Sequence, residues 1–560
     1  MFFRPTSSAI ALLALAGPAL ADVTPVQVWQ NWIDYYKANG YVVTEGAREQ
    51  AGETLSLRNV VFAYDAPQDG AKINLSAPEI TLTATGDGKV RTVFSDEMPV
   101  RLDFTDEEGK PVSVAGALHM ADFEMISSGS AGDMTHDSRA GEAGVTLATI
   151  TDAEGEKPLP VSVKLVNLTS RQHVVDGAAT AIDATGSADR LELSADLGDH
   201  EGHATVKGTL DKVAGEVSYA LPKGISIGQD LSGALKAGLS MSGKLSTEGV
   251  LMDIAATEKK EDGGDKTTQA KVDAKGIDLT FSLAQDGMKY QTSSDASSVE
   301  VKSPDLPFPI SYAAQSTTGD FQVPVSKSDQ PQPFKFAYSV AGLTIGDALW
   351  NSFDPGKKLP RDPASIDLDL TGMAKINADL FDPALAETAT QADAAAPAPG
   401  KDPEQAADEA EAAAGGSAPD AAADGTAADG ATADGAAAEG TDTSEMPAAT
   451  PDPFAPTEIT LNKLAVDAAG VRLDASGSVS IPDGSTVETP VGQISARLDG
   501  ANGLMDKLVE MGLVQSDQLA GFRMMLAMFA KPAAEGSDAL VSQIEFKQGG
   551  EIFANGQKIK

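Results

Sequence analysis

Residues Ala341–Gly372 read AGLTIGDALWNSFDPGKKLPRDPASIDLDLTG. Leu349, Trp350 and Phe353 fall at i, i+1 and i+4, the spacing of side chains buried together on one face of a short helix that begins near Gly346 and Asp347. Asp347 is placed to cap it, and Asp354-Pro355-Gly356 ends it, because proline has no N–H to continue the ladder and glycine accepts the reversed backbone beyond a helix. Pro360 and Pro363 then keep the chain extended. In the residues that follow, Ile366, Leu368 and Leu370 alternate with Ser365, Asp367 and Asp369, the pattern of a strand with one wet face. A helix set beside a sheet is the picture that this stretch gives.

Working outward, the same period of two runs through both flanks. Before the stretch, from Tyr41 to about Val340, it appears in Leu55-Ser56-Leu57, Lys72-Ile73-Asn74-Leu75, Val161-Ser162-Val163-Lys164-Leu165 and Ile277-Asp278-Leu279-Thr280-Phe281. Turn residues at Gly86-Asp87-Gly88, Glu108-Gly109 and Asp286-Gly287 join these runs into hairpins. Prolines at 304, 307, 309, 331 and 333 mark bends or edges, since proline cannot donate to a ladder. After position 458 the alternation resumes in Ile459–Val466, Val471–Val479 and Gln493–Leu498. The expected class is therefore mainly β: a long, twisted, mostly antiparallel sheet, curled into a groove, with an N-terminal helix, the short central helix and a C-terminal helix pair.

Between the two β regions composition shifts to Ala, Asp, Glu, Gly, Thr and Pro, as in AADGTAADGATADGAAAEG, which lacks the apolar side chains needed to offset the entropy of ordering. Four regions follow from this reading: a signal peptide at 1–21, a β-rich main body at 22–383, a disordered acidic linker at 384–457 inserted in one continuous sheet, and C-terminal strands, helices and hairpin at 458–560. The first C-terminal helix uses Leu504, Leu508 and Met511 and stops at Gly512. Ser516 is placed to cap the second, which is expected to bury Leu519, Phe522, Leu526 and Phe529. Val541–Phe546 then turns at Gly549-Gly550 into a last strand.

The first residues, MFFRPTSSAIALLALAGPALA, carry a cation at Arg4, an apolar run from Ala9 to Ala16 and a small-x-small site at Ala19–Ala21. These are the parts of a secretory signal, expected to be cleaved after Ala21 and to leave a periplasmic chain. Thr24 then caps a helix that starts at Pro25, presents Trp29, Ile33 and Tyr36 at helical spacing and stops at Asn39-Gly40. The chain has no cysteine, so neither disulfides nor a lipidated cysteine enter the argument. A formal net charge of −40 argues against a nucleic-acid partner, which requires a basic footprint, and against simple electrostatic attachment to anionic lipid.

The segments Leu349-Trp350-Asn351-Ser352-Phe353-Asp354-Pro355-Gly356 and Leu359-Pro360-Arg361-Asp362-Pro363-Ala364 resemble the motif of the domain of unknown function 2125 family, secreted proteins of alphaproteobacteria. The resemblance extends over most of the chain beyond its N-terminal segment, linker excepted. It implies a shared fold and a structural role for Leu349, Trp350, Phe353, Asp354, Pro355, Gly356, Pro360, Arg361, Asp362 and Pro363, and brings no reaction with it. More loosely, Gly470, Gly477-Ser478-Val479, Gly500 and the helix pair over about the last hundred residues look like the ends of AsmA-like envelope proteins, which implies a sheet curled around acyl chains.

Motifs of catalysis fare poorly. Gly224-Ile225-Ser226-Ile227-Gly228 has the letters of a nucleophile elbow, but no helical pattern follows it. GLSMSGK at 238–244 imitates a phosphate loop and continues with Leu245 where Ser or Thr would hold magnesium. His200 and His203 are three apart, which on a strand sends them to opposite faces, and His119, His136 and His173 stand alone. Asp367 and Asp369 share a strand face without the ligand-rich loop that calcium needs. No catalytic, cofactor or metal residue is assigned. The expected function is a non-enzymatic envelope protein that holds lipid or another hydrophobic ligand in a β-groove. The alternatives are a scaffold for envelope proteins with an ordinary packed core and a hydrolase built on Ser226 or the His200 and His203 pair.

Overall fold

The computed structural model describes residues 22–560 apart from 66–69, 107, 199–201, 226, 229, 260–263, 383–384, 386–451, 483–488 and 535. The segment expected to be a signal peptide and most of the expected linker lie outside the described residues. The rest forms one sheet of 27 strands in which every pairing is antiparallel. Strands Ala364–Ile376 and Phe454–Ala468 are neighbours, with Ile376 opposite Phe454, so the chain leaves the sheet and returns to the adjacent position. The proline-rich stretch at 331–333 does not break its strand, Ser328–Ile345; it shifts the register between Ser328 and Gln332.

A single crease organises the sheet. Asn59, Asp122, Asn167, Lys212, Gly276 and Gly342 all have positive φ, between 51° and 65°. Their register partners place them on one line: Gly141 is level with Asn167, Asn167 with Asp189, Asp189 with Lys212, Lys212 with Glu248 and Glu248 with Gly276. On some strands the bend cuts the strand in two, as between Gly287–Ser294 and Ser297–Lys302. At Gly276 a Cβ would meet the Asp295 carboxylate, so both the backbone angle and the close approach require glycine there.

The crease adds one residue to the alternation of each strand. In Gly202–Pro222 the apolar positions are Val206, Gly208 and Leu210 before Lys212, then Val213, Val217 and Tyr219 after it. The extra residue thus keeps apolar side chains on the same face through the bend. Cross-strand partners share a face, and one row on this face runs Leu118, Val145, Val163, Leu193, Gly208, Met252, Val272, Val299, Tyr312 and Ile345. Across the crease a second row runs Val217, Gly243, Phe281, Tyr290, Phe321, Phe336, Leu370, Leu461, Gly477, Ile494 and Ile544. The opposite face carries the charges, in cross-strand pairs such as Lys164–Glu142, Arg171–Asp137 and Lys244–Glu216. Exposed pairs of this kind add little stability each; they keep the outer face wet.

Helix α1 (Pro25–Ala38) lies in the crook of the bend. Its Thr24 and Gln27 form a capping box, as the sequence predicts for the Thr24 end. Trp29 and Val28 are fully buried in one cluster with Leu55 and Leu57 from one side of the crease and Val60 and Phe62 from the other, so the apolar face is the inner one. The short helix α2 (Leu231–Lys236) packs on Leu221, Met241 and Leu283 at the rim of the second row's wall. Helix α3 (Asp347–Phe353) follows the crease at Gly342, at the strand where the first row ends with Ile345. Beyond it the other wall continues alone, and α4 (Ala501–Glu510) and α5 (Ser516–Phe529) stand against it through Leu498.

Four local expectations need correction. Gly346, not Asp347, occupies the cap position of α3, and Leu349, Trp350 and Phe353 are half-buried, because the helix meets the sheet only at its margin. Gln515, not Ser516, caps α5. Leu519 is buried in that helix and Leu526 packs beside it, but Phe522 and Phe529 are 48% and 40% exposed, since α4 covers only one narrow side. No helix among the described residues is long and apolar enough to cross a membrane.

Candidate functional site

The two walls enclose a trough whose lining is only partly covered. Val145, Val163, Leu245, Tyr290, Tyr312 and Phe336 remain 37–47% exposed although they project from the inner face. Neither of the two rows traced above contains a charged side chain. The N–H and C=O groups of the walls are engaged in the sheet's own ladders, so the lining offers shape and apolar surface and almost no hydrogen-bonding capacity.

Helix α1 closes one end. Its start hydrogen-bonds one rim, Val23 N to Gly88 O at 3.2 Å, and beyond its end the Tyr41 ring meets Tyr64 at 5.0 Å on the other. Inward it buries tryptophan; toward the trough it presents Gln27, Gln30, Asn31, Asp34 and Tyr35. These side chains, with Val174, Leu221, Lys223, Ile225 and Ile227, line a cavity of about 530 Å³. A smaller recess of about 180 Å³ lies next to it and shares Asn31, Tyr35 and Val174 with it.

The floor of that recess holds His136. It is buried, its Nδ1 lies 2.8 Å from Ser127 Oγ, and the Trp32 ring meets it edge-on. Burial pushes its pKa down to about 4, against the upward pull of neighbouring Asp137. Thr92, also buried, has a side-chain oxygen without a partner among the described residues. In the sequence His136 stands apart from the other histidines. The missed signal is alternation: Met134, His136 and Ser138 share a parity in Asp133–Asp152, which puts His136 on the apolar face.

The motif residues form a compact knot at the rim. Asp354 is buried and accepts N–H donations from Lys358 at 2.8 Å and Leu359 at 3.0 Å. Burial alone would raise its carboxyl; the two backbone donors and the Arg361 and Lys358 charges outweigh it and hold it below the ordinary carboxylate value. Arg361 lies over the Trp350 ring at 5.4 Å and donates to Asp354 O at 2.8 Å and Asn351 Oδ1 at 3.0 Å. Lys358 reaches Glu510 at 2.8 Å and so ties the knot to α4. Pro360 packs against Gly470 at the neighbouring turn. Pro355, Gly356 and Pro363 shape the return of the chain, Asp362 is exposed, and none of these residues lines the cavities beside α1.

The remaining sequence candidates do not come together. Ser226, His200 and Glu201 lie outside the described residues. A helix does follow the Gly224–Gly228 segment, contrary to expectation: α2 begins at Leu231, capped by Asp230, whose Oδ1 accepts from Gly233 N at 2.6 Å. Its six residues were too few to leave a periodic pattern. His203 pairs with Asp196 at 2.6 Å and His173 with Asp133 at 2.8 Å, both in the open. The GLSMSGK segment enters the strand Ser240–Lys259. Asp367 accepts from Ser339 at 2.6 Å and pairs with Lys463 at 3.0 Å, and Asp369 accepts from Asn462 at 3.0 Å, so both are engaged across strands. Among the described residues no cluster of three or more His, Cys, Asp or Glu side chains is arranged to hold a metal ion.

Residues 364–552 match a family described as an uncharacterized protein conserved in bacteria (DUF2125). Over this region, about a third of its length, the chain is similar to the DUF2125 family. The matched region begins at Ala364, the last residue of the quoted motif, and takes in the single-walled part of the sheet with α4 and α5. The Trp350 knot stands immediately ahead of it. No curated protein and no solved structure matches the chain.

Proposed function

We propose that the chain is an exported, non-enzymatic envelope protein that holds the acyl chains of a lipid in its trough. The observation that carries this reading is the inner face itself, uncharged along both rows and half-exposed beyond the helix that closes one end. The row from Leu118 to Ile345 crosses nine strand spacings of about 4.8 Å, about 43 Å in all. A peptide laid along it would leave its own N–H and C=O groups without partners, which is costly away from water. An acyl chain has no such groups. Transfer of apolar surface from water to this lining supplies the affinity, at about 25 cal/mol per Å² buried.

The test is mass spectrometry of small molecules extracted from the chain purified without detergent from the compartment it is exported to. Lipid in stoichiometric amount is the expected result. A preparation free of lipid that also takes up none from vesicles overturns the reading and leaves the scaffold alternative.

A further inference from the structure

The end of the trough beside α1 differs in kind from its walls. There the helix contributes carboxamides and a carboxylate, and the strand ends add Asp176 and Thr180 beside the apolar Val174 and Leu221. Among the described residues the Asn31 side chain has no hydrogen-bond partner, and Gln30 Nε2 donates to Asp34 Oδ1 at 2.8 Å, which leaves the Gln30 carbonyl able to accept. The Tyr35 ring stands among them, close to Tyr219 on the wall, and its phenol is raised by burial and by that neighbour, so it stays a neutral donor. Facing them across the cavity are apolar side chains such as Leu221. A carbohydrate ring presents hydroxyls around its edge and C–H groups on its faces, and it is matched by amide edges on one side and apolar or aromatic surface on the other.

Charge narrows the choice. Asp34, Asp176 and Lys223 are the ionised groups of the lining, and Lys223 is already paired with Asp176 at 2.6 Å. One carboxylate is left over, so a phosphate group would enter against like charge. We propose that this cavity receives a neutral, hydroxyl-rich headgroup, the glycosyl end of a lipid whose acyl chains run into the trough. The proposal deepens the lipid-binding reading and rests on it. A volume of about 530 Å³ is ample for one or two sugar rings and falls in the usual range of small-ligand sites.

Vesicles carrying equal amounts of monogalactosyl diacylglycerol and phosphatidylglycerol with the same acyl chains would be offered to the purified full chain, and the bound lipids counted by native mass spectrometry. The expected result is a preference for the galactolipid of about tenfold, because the sugar hydroxyls pair with the carboxamides while the phosphate of phosphatidylglycerol enters against the Asp34 carboxylate. Asn31→Leu abolishes the preference and keeps uptake of phosphatidylglycerol; Asp34→Lys, an independent variant at an exposed helical position, shifts uptake toward phosphatidylglycerol. Equal uptake of the two lipids by the unaltered chain overturns the headgroup site and leaves the trough reading standing. Uptake of neither overturns both.

Discussion

His136 shows what a polar side chain costs on an otherwise apolar face. Its imidazole is held neutral by burial, with a pKa of about 4 against 6.5 in the open. The folded chain therefore binds the proton less readily than the unfolded chain. The stabilising effect of the neutral ring is complete above about pH 6.5 and is lost as pH falls through the window down to about 4, in total about 3 kcal/mol. Denaturant unfolding at pH 7 and pH 5 checks this. His136→Gln keeps a partner for Ser127 and is expected to remove that part of the pH dependence, whereas an unchanged slope would mean that the ring is hydrated in the folded state.

At the scale of elements, α5 is the instructive case. Its apolar residues outnumber what the fold uses: Leu519 is buried, while Phe522, Met525 and Met528 are about half exposed and Met524 is 71% exposed. Leu519→Ala is expected to cost about 2–3 kcal/mol in thermal or denaturant unfolding. Phe522→Ser, in contrast, is expected to stay within about 0.5 kcal/mol, because little packing is lost. Periodicity located α5 and its apolar residues; it could not say how many of them a neighbour covers. The strands were legible for the opposite reason, since alternation in Ile366–Leu370 and Val161–Leu165 already states which face is wet. The crease was written in the sequence as well, as a change of spacing from two to three across a polar, glycine or small-residue pair: Leu57-Arg58-Asn59-Val60, Ala188-Asp189-Arg190-Leu191, Leu210-Asp211-Lys212-Val213 and Ala274-Lys275-Gly276-Ile277. Each instance looks like the end of one strand and the start of another. Only the register between strands shows that they lie on one line. The polar end of the trough was hidden because α1 and the turn after Pro222 are far apart in the chain and meet only in the fold.

For the whole molecule, the consequence of a half-covered lining is that substitutions there separate binding from stability. Val163→Asp and Phe336→Asp each place a charge in the trough at a position that already sees water, so the expected loss of stability is below about 1 kcal/mol. Uptake of lipid from vesicles is expected to fall severalfold in each. If instead each variant unfolds the protein while the unaltered chain carries no lipid, the inner face is an ordinary core. The charged outer face and the apolar inner face are two sides of the same strands, and a register slip by one residue would exchange them. The crease residues prevent such slips, because a bend must lie beside a bend on the next strand.

That matching of bends makes the molecule behave like an extruded profile. Cross-section is set within each strand, by where its one extra residue falls; length is set only by how many hairpins are stacked. A pair of strands such as Gly155–Asp176 and Ala179–Gly198 carries its own copy of the profile, so a whole hairpin can be duplicated or removed without reshaping its neighbours. Chains of this design can differ widely in reach while offering an occupant the same bore.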